Sequence, residues 1–435
     1  MPALPSVESV ATPLPEQEQR VHKQVARGLA VAAASILAAI AFGTPAAAIP
    51  VERVTTKAVF NTAGGGTEIK DEFIKLIDGA APDSTIRTAA FHVRDQDIVD
   101  RLIAAADRGV QVHVVADSGA AEDAPHQELE EAIGTDTSAS SWVKRCEEDN
   151  ACIGDRPGKA VMHSKFFLFS DTINTSNVAV LTSANLSDTV GGTAGWNSAY
   201  VDVGNPELYT RLDAYFNTLA SGNKDDNYYD SNPPDVTENV KTYFHPRRQD
   251  DQDDTYVNIL DGVDCDASET TISISNWWLG RQAVADKLSE LRRQGCEVEL
   301  VVNYISDEEC ETLADTSFYA PVRIYGFSED TRGEGTHQKD MTIDGNYLGE
   351  DTKVTFTGSH NLVPSSLDEN DEITARVYGD EIHDQFAANF DRVKDAADVT
   401  VNPLEPDSGC EQLDPHPEEQ ELERGTRDLE RGTRV

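Results

Sequence analysis

Positive charge is what this sequence has least of. Against 78 Asp and Glu stand 36 Lys and Arg, only 13 of them Lys, for a net charge of −42 over 435 residues. Such a surface repels polyanions, so nonspecific binding to nucleic acid or to anionic membrane is disfavoured. Sparse Lys with abundant carboxylate resembles salt-adapted proteins; a generally acidic extracellular protein is the alternative. The chain also lacks any Cys-x-x-Cys pair with a nearby His, which disfavours a zinc site. It has no apolar run long enough to span a bilayer with confidence. The nearest to one is the Ala-rich stretch Leu29–Phe42, with Lys23 and Arg27 before it and Thr44-Pro45-Ala46-Ala47-Ala48 after it. A basic flank, a short apolar core and an Ala-x-Ala end predict a signal peptide over 1–48 and a secreted product. The leader is long, with Val21 an alternative start. No Cys follows the cleavage region, which argues against a lipid anchor.

Six cysteines remain beyond it: Cys146, Cys152, Cys265, Cys296, Cys310 and Cys410. An even number in an exported chain predicts disulfides. Fifteen full pairings are open, with Cys146–Cys152 favoured because the two bracket one acidic loop.

What is present is a repeat. Thr85-Ile-Arg-Thr-Ala-Ala-Phe91 and Thr271-Ile-Ser-Ile-Ser-Asn-Trp277 both alternate like strands. Amphipathic helices follow, over Asp97–Arg108 and Ala283–Arg293, each stopped by a glycine, Gly109 or Gly295. New strands start there, at Val110 and Cys296. The matches share one offset of 186 residues. Strand, helix, strand predicts an α/β fold with a mostly parallel sheet in each half. The halves span 55–220 and 253–397, with a linker or loop over 221–252 and an acidic tail over 402–435 that is disordered apart from Cys410. Gly64-Gly65-Gly66 lacks the Lys-Ser/Thr of a phosphate loop and reads as a turn before a helix.

Each half also holds His-x-Lys: His163-Ser-Lys165 and His337-Gln-Lys339. Ten His and 13 Lys would give this pattern roughly 0.3 times by chance. Strand geometry puts each pair on one face, which turns apolar at Phe167 and Phe169, or at Met341 and Ile343. Downstream come Thr182-Ser183-Ala184-Asn185 and Gly358-Ser359-His360-Asn361, with Lys-to-Ser gaps of 18 and 20 residues.

These paired motifs resemble the phospholipase D superfamily, whose mark is His-x-Lys-x4-Asp with a later Gly-Ser-x-Asn, twice per active site. The likeness covers about residues 57–395 and implies a duplicated phospholipase D fold of two βα-sandwich halves. It also implies a phosphodiesterase that needs neither metal nor organic cofactor. His163 would be the nucleophile and His337 the acid and base. Lys165 and Lys339 would clamp the phosphate, aided by Ser183, Asn185, Ser359 and Asn361. Glu372, at the end of Asn370-Asp371-Glu372, would orient His163; the first-half counterpart, Asn197-Ser198-Ala199, offers no carboxylate for His337, which leaves Asp188 a weak substitute. The motif's Asp is Asp344 in the second half. In the first half Ser170 stands in its place, with Asp171 one residue late, so a degenerate binding protein is a competing reading. Phospholipid at a membrane or micelle surface is the expected substrate, with nucleic acid disfavoured and a monomer expected. A nuclease of the same superfamily is the runner-up. His92, His113, Trp196, Trp277 and Trp278 read as packing residues, and His360 as an even choice between core and site.

Overall fold

In a computed structural model the described residues are 51–248, 253–317, 321–404 and 406–414. The expected signal peptide lies outside them, as do residues 415–435 of the tail. The first half runs β1 (Lys57–Phe60), α1 (Glu68–Asp78), β2 (Thr85–Ala90), α2 (Gln96–Asp107), β3 (Gln111–Ala116), α3 (Ala124–Ile133) and β4 (Trp142–Arg145). It continues with β5 (Phe166–Thr172), β6 (Thr175–Thr182), β7 (Ser198–Val203) and α4 (Pro206–Ser221). The second half opens with α5 (Tyr228–Ser231), β8 (Asp235–Thr237), β9 (Val240–His245) and α6 (Thr255–Leu260). Then come β10 (Thr271–Leu279), α7 (Gln282–Arg293), β11 (Glu297–Ile305), α8 (Asp307–Ala314) and β12 (Arg323–Gly326). It closes with β13 (Lys339–Tyr347), β14 (Glu350–Gly358), α9 (Pro364–Asp368), β15 (Glu372–Tyr378), α10 (Asp380–Ala396), β16 (Val399–Thr400) and α11 (Pro406–Leu413).

The repeat is structural. One sheet has the order β1-β7-β6-β5-β2-β3-β4, and the other contains β9-β15-β14-β13-β10-β11-β12, the same sequence of equivalents, with β8 and β16 added at its edges. Only the β2–β3–β4 and β10–β11–β12 pairings are parallel; the remaining strands run antiparallel. The sheets are therefore mixed, not mostly parallel. The reason is local: β5–β6 and β13–β14 are hairpins, and a short connection joins only antiparallel strands.

Two further expectations change. Residues 221–252 are not a plain linker, since they supply β8 and β9 to the second sheet. The tail is ordered as far as α11, whose Leu413 is buried and whose Cys410 is bonded to Cys310. The other disulfides are Cys146–Cys152 and Cys265–Cys296.

Helices α2 and α7 follow the predicted spans closely, and Gly109 and Gly295 just beyond them have φ of +89° and +110°, a conformation that favours glycine. Phe167 and Phe169 sit in the core beneath α1 and α2, while Met341 and Ile343 do the same beneath α7. Each such buried side chain contributes about 1.5–3 kcal/mol. On the opposite faces, Phe166, Leu168, Ala179 and Leu181 share one core with Phe244, Ile373, Ala375 and Val377 of the other sheet. That shared core locks the two halves together and fixes where their strand ends meet.

Candidate active site

The site lies where the two halves cross. His163 N–H donates to the Asp371 carbonyl and Asp371 N–H to the Val161 carbonyl, so the first motif pairs with the run into β15. In the same way His337 N–H donates to the Trp196 carbonyl, and Trp196 N–H to that of Gly335, so the second motif pairs with the run into β7. Each histidine thus meets a side chain from the other half. His163 Nδ1 is 2.9 Å from Glu372 Oε1, and His337 Nδ1 is 3.0 Å from Asn197 Oδ1. Asp188 is exposed and is not among the partners of His337.

Both anchors are themselves held. Ser359 and Ser366 donate to the fully buried Glu372 carboxylate, the latter at 2.8 Å. Asn197 Nδ2 donates to the Val190 and Gly192 carbonyls at 3.0 and 2.9 Å, which turns Oδ1 toward His337, and Ser183 Oγ donates to that oxygen at 2.9 Å. Both anchoring oxygens accept, so each imidazole carries its hydrogen on Nδ1 and leaves Nε2 with a lone pair; the network, not an observed proton, fixes this tautomer. The hydroxyl hydrogens of Ser183 and Ser359 are committed to these anchors rather than to a phosphate.

Lys165 and Lys339 are buried and donate to the carbonyls of His163 and His337 at 2.7 and 2.6 Å. Burial pulls His163 down to about 4, with both lysines adding to it and Glu372 opposing. His337 falls well below its ordinary value, by burial first and then by Lys339 and Lys165, and no carboxylate is among the main influences on it. Burial would raise Glu372, yet His163, Lys165 and Ser359 hold it below the usual carboxylate value. Before substrate arrives, the site is two neutral imidazoles and two ammonium groups. That is a cradle for an anion.

Asn185 is buried with neither amide atom partnered, and Asn361 has a buried, unpartnered Oδ1. The Asn185 amide borders Gly191, where an added Cβ would stand 2.7 Å from Asn185 Nδ2 and 3.4 Å from His337 Nε2. Phe91 lies 5.2 Å from the His163 ring and 5.0 Å from the Lys165 ammonium, and Trp277 lies 5.3 Å from the His337 ring. Phe91 and Trp277 are thus equivalent walls, and Trp277 belongs to the site. Trp196 and Trp278 are core residues. His92 lies near Asp123 at 3.6 Å, and His113 stacks on Trp142.

Asp344 and Asp171 are not supports of the site. Seven residues of extended chain put Asp344 about 23 Å from His337; it is half-exposed and 3.7 Å from Lys353. Asp171 accepts from Ser176 Oγ, and Ser170 Oγ accepts from Thr85 N–H at the same far end of the sheet. The carboxylate that sequence reasoning missed is Asp340. It is buried beside Lys339, accepts from Ser198 and Thr357 across the two halves, and is pushed up by burial to about 7. Its signal was an Asp directly after the motif lysine, at the start of β13 and ahead of the apolar Met341 and Ile343.

The family profile described as "Cardiolipin synthase, PLD-like domain" matches residues 73–220 and 265–394, more than half of the chain. The chain belongs to the phospholipase D-like family. Phosphatidylserine synthase from Haemophilus influenzae Rd KW20 superposes with a TM-score of 0.56 at 13% identity, over 81% of this chain and 92% of that one. Polyphosphate kinase from Porphyromonas gingivalis superposes with a TM-score of 0.53 at 14% identity, over 78% of this chain; this phospholipase D-like chain spans half of that protein's length. A search of curated proteins found no match. At such identities the two structures speak for the fold, a duplicated phospholipase D fold. Among the described residues no helix is long and apolar enough to cross a membrane.

Proposed function

We propose that the chain is a secreted phosphodiesterase that removes the head group of a glycerophospholipid through a phosphohistidine on His163. The observation that carries this reading is the unequal anchoring of two otherwise matched imidazoles. A carboxylate on Nδ1 stabilises the positive charge that an imidazole gains when its Nε2 bonds to phosphorus, so Glu372 makes His163 the nucleophile. A neutral amide gives no such stabilisation, so His337, once protonated, is the stronger acid. Glu372 and Asn197 set the division of labour.

In the first step His163 Nε2 attacks phosphorus, the bond to the head-group oxygen breaks, and the proton on His337 passes to that oxygen. In the second, water gives its proton to His337 while its oxygen displaces His163, which returns the site to its starting state. A small alcohol in place of water gives head-group transfer. Lys165, Lys339 and the Asn185 amide supply positive charge and donors around the phosphate.

A lipid substrate is supported by the match to the cardiolipin synthase-type family profile and by the likeness to phosphatidylserine synthase. The net charge of −42 points the same way, since long-range repulsion opposes a polynucleotide. Three disulfides suit export. The test is turnover of phosphatidylcholine beside plasmid DNA by the same preparation. Release of soluble head group with DNA left intact is expected. DNA cleavage without lipid turnover would move the chain to a nuclease role, and inactivity on both would revive the binding-protein reading.

A further inference from the structure

The repeat is broken at one telling place. Helix α2 is preceded by Asp95, whose carboxylate accepts from Ile98 N–H and caps the helix. The equivalent residue before α7 is Arg281, which makes no cap. A cation at a helix N-terminus is unfavourable, because the exposed amide N–H groups there already carry positive charge. Arg281 is nevertheless buried, at 5% exposure.

Its side chain enters a cluster next to Glu372. Arg281 Nη1 is 3.1 Å from His360 Nε2, the His360 ring is 4.4 Å from that of His245, and His245 is the strand partner of Glu372. A guanidinium only donates, so His360 Nε2 accepts and its hydrogen sits on Nδ1. That Nδ1 is buried and has no partner. Arg281 Nη2 and the Nε and Nη1 of Arg247 are buried and unpartnered too. The carboxylates at hand are Asp254, 3.2 Å from Arg281 Nε, and Asp253, which is two-thirds exposed and 3.1 Å from Arg247 Nη2. Burial, Arg281 and Arg247 push His245 well below its ordinary value, so neither it nor His360 competes as a cation. Four buried donors without an acceptor, beside a phosphate cradle, are what an oxyanion pocket offers.

We propose that Arg281, Arg247 and His360 form a second anion subsite, next to Glu372, that takes a tetrahedral phosphate-class oxyanion. The oxyanion is either a second phosphate on the substrate or free inorganic phosphate. The substrate-borne form deepens the phosphodiesterase reading and rests on it; the binding site itself does not.

The test compares the purified chain with Arg281→Asn, since asparagine is a good helix cap and should keep α7 intact. Calorimetric titration with inorganic phosphate is expected to show two equivalents bound by the wild type, one in the His-Lys cradle and one in the subsite. Arg281→Asn should bind one, with an unchanged circular dichroism melt. Two equivalents in the variant, or one in both proteins, would overturn the subsite. Should the variant fail to fold, Arg247→Gln reads the same stoichiometry. For the source, KM is measured on a phospholipid bearing a head-group phosphomonoester and on phosphatidylcholine. A rise of about tenfold on the first alone assigns the subsite to substrate. Equal KM changes with the loss of one equivalent assign it to free phosphate. Lack of turnover on either lipid defeats the phospholipid reading and leaves the stoichiometry to decide the subsite.

Discussion

Asn197 and Glu372 occupy the same place in the two halves of this chain, one as an amide and the other as a carboxylate. Each accepts from Nδ1 of the histidine across the interface, at 3.0 and 2.9 Å, and each receives a serine hydroxyl from the motif of its own half. The repeat therefore conserves the geometry and changes the charge.

That difference has a consequence in pH. Burial and the lysines depress both histidines, so the singly protonated pair that starts the reaction becomes scarce as pH rises. For the free enzyme, kcat/KM should peak below pH 6.5, the ordinary histidine value, and decline above it. The kcat profile should lie higher, because a bound phosphodiester anion raises both values. Asn197→Asp adds a carboxylate at His337 and should move the basic limb of kcat/KM up by about one unit or more while slowing leaving-group departure. An unmoved limb would show that His337 is not the group titrating there.

Gly191 matters for space. A methyl at this position would press on Asn185 Nδ2 and approach His337 Nε2, where the reacting oxygens must pass. Gly191→Ala should lower kcat about 10- to 100-fold with little change in the melting temperature, as a misplacement of about 1 Å at a reacting centre does. Steady-state kinetics with a thermal melt check this pair of outcomes.

Ser170 stands where the family motif has Asp, at the end of β5 remote from His163, holding Thr85 N–H. Ser170→Asp should leave turnover within about twofold of wild type, an effect of surface size. A large gain in activity would mean that the departure at this position impairs the first half after all.

Much of this was legible in the sequence because the fold is a duplication. The 186-residue offset marked β2, α2, β3 and their twins, and two His-x-Lys pairs marked the strand ends that carry chemistry. Strand direction was not legible: the βα units suggested parallel sheets, whereas the hairpins β5–β6 and β13–β14 make most pairings antiparallel. Segment 221–252 looked like linker because its Asp, Asn and Pro hide the short edge strand β8 and its neighbour β9. Partners from the opposite half were the hardest to see. Glu372 came from the family pattern, but Asn197 was passed over as an absence of carboxylate when its amide oxygen serves as the acceptor. Asp344 fitted the motif by spacing alone, and spacing along a strand of about 3.3 Å per residue carried it away from the site.

In the proposed mechanism His163 takes the phosphoryl group because Glu372 stands behind it, and His337 serves as the acid. The most direct measurement uses His337→Asn and bis(p-nitrophenyl) phosphate, whose leaving group departs without an acid. After an acid-avoiding quench, peptide mass spectrometry should find about one equivalent of aryl phosphate on His163, since attack survives and hydrolysis of the adduct stalls. The reciprocal His163→Asn variant should carry none. An adduct on His337 in that second variant, with His163 unmodified in the first, would contradict the account.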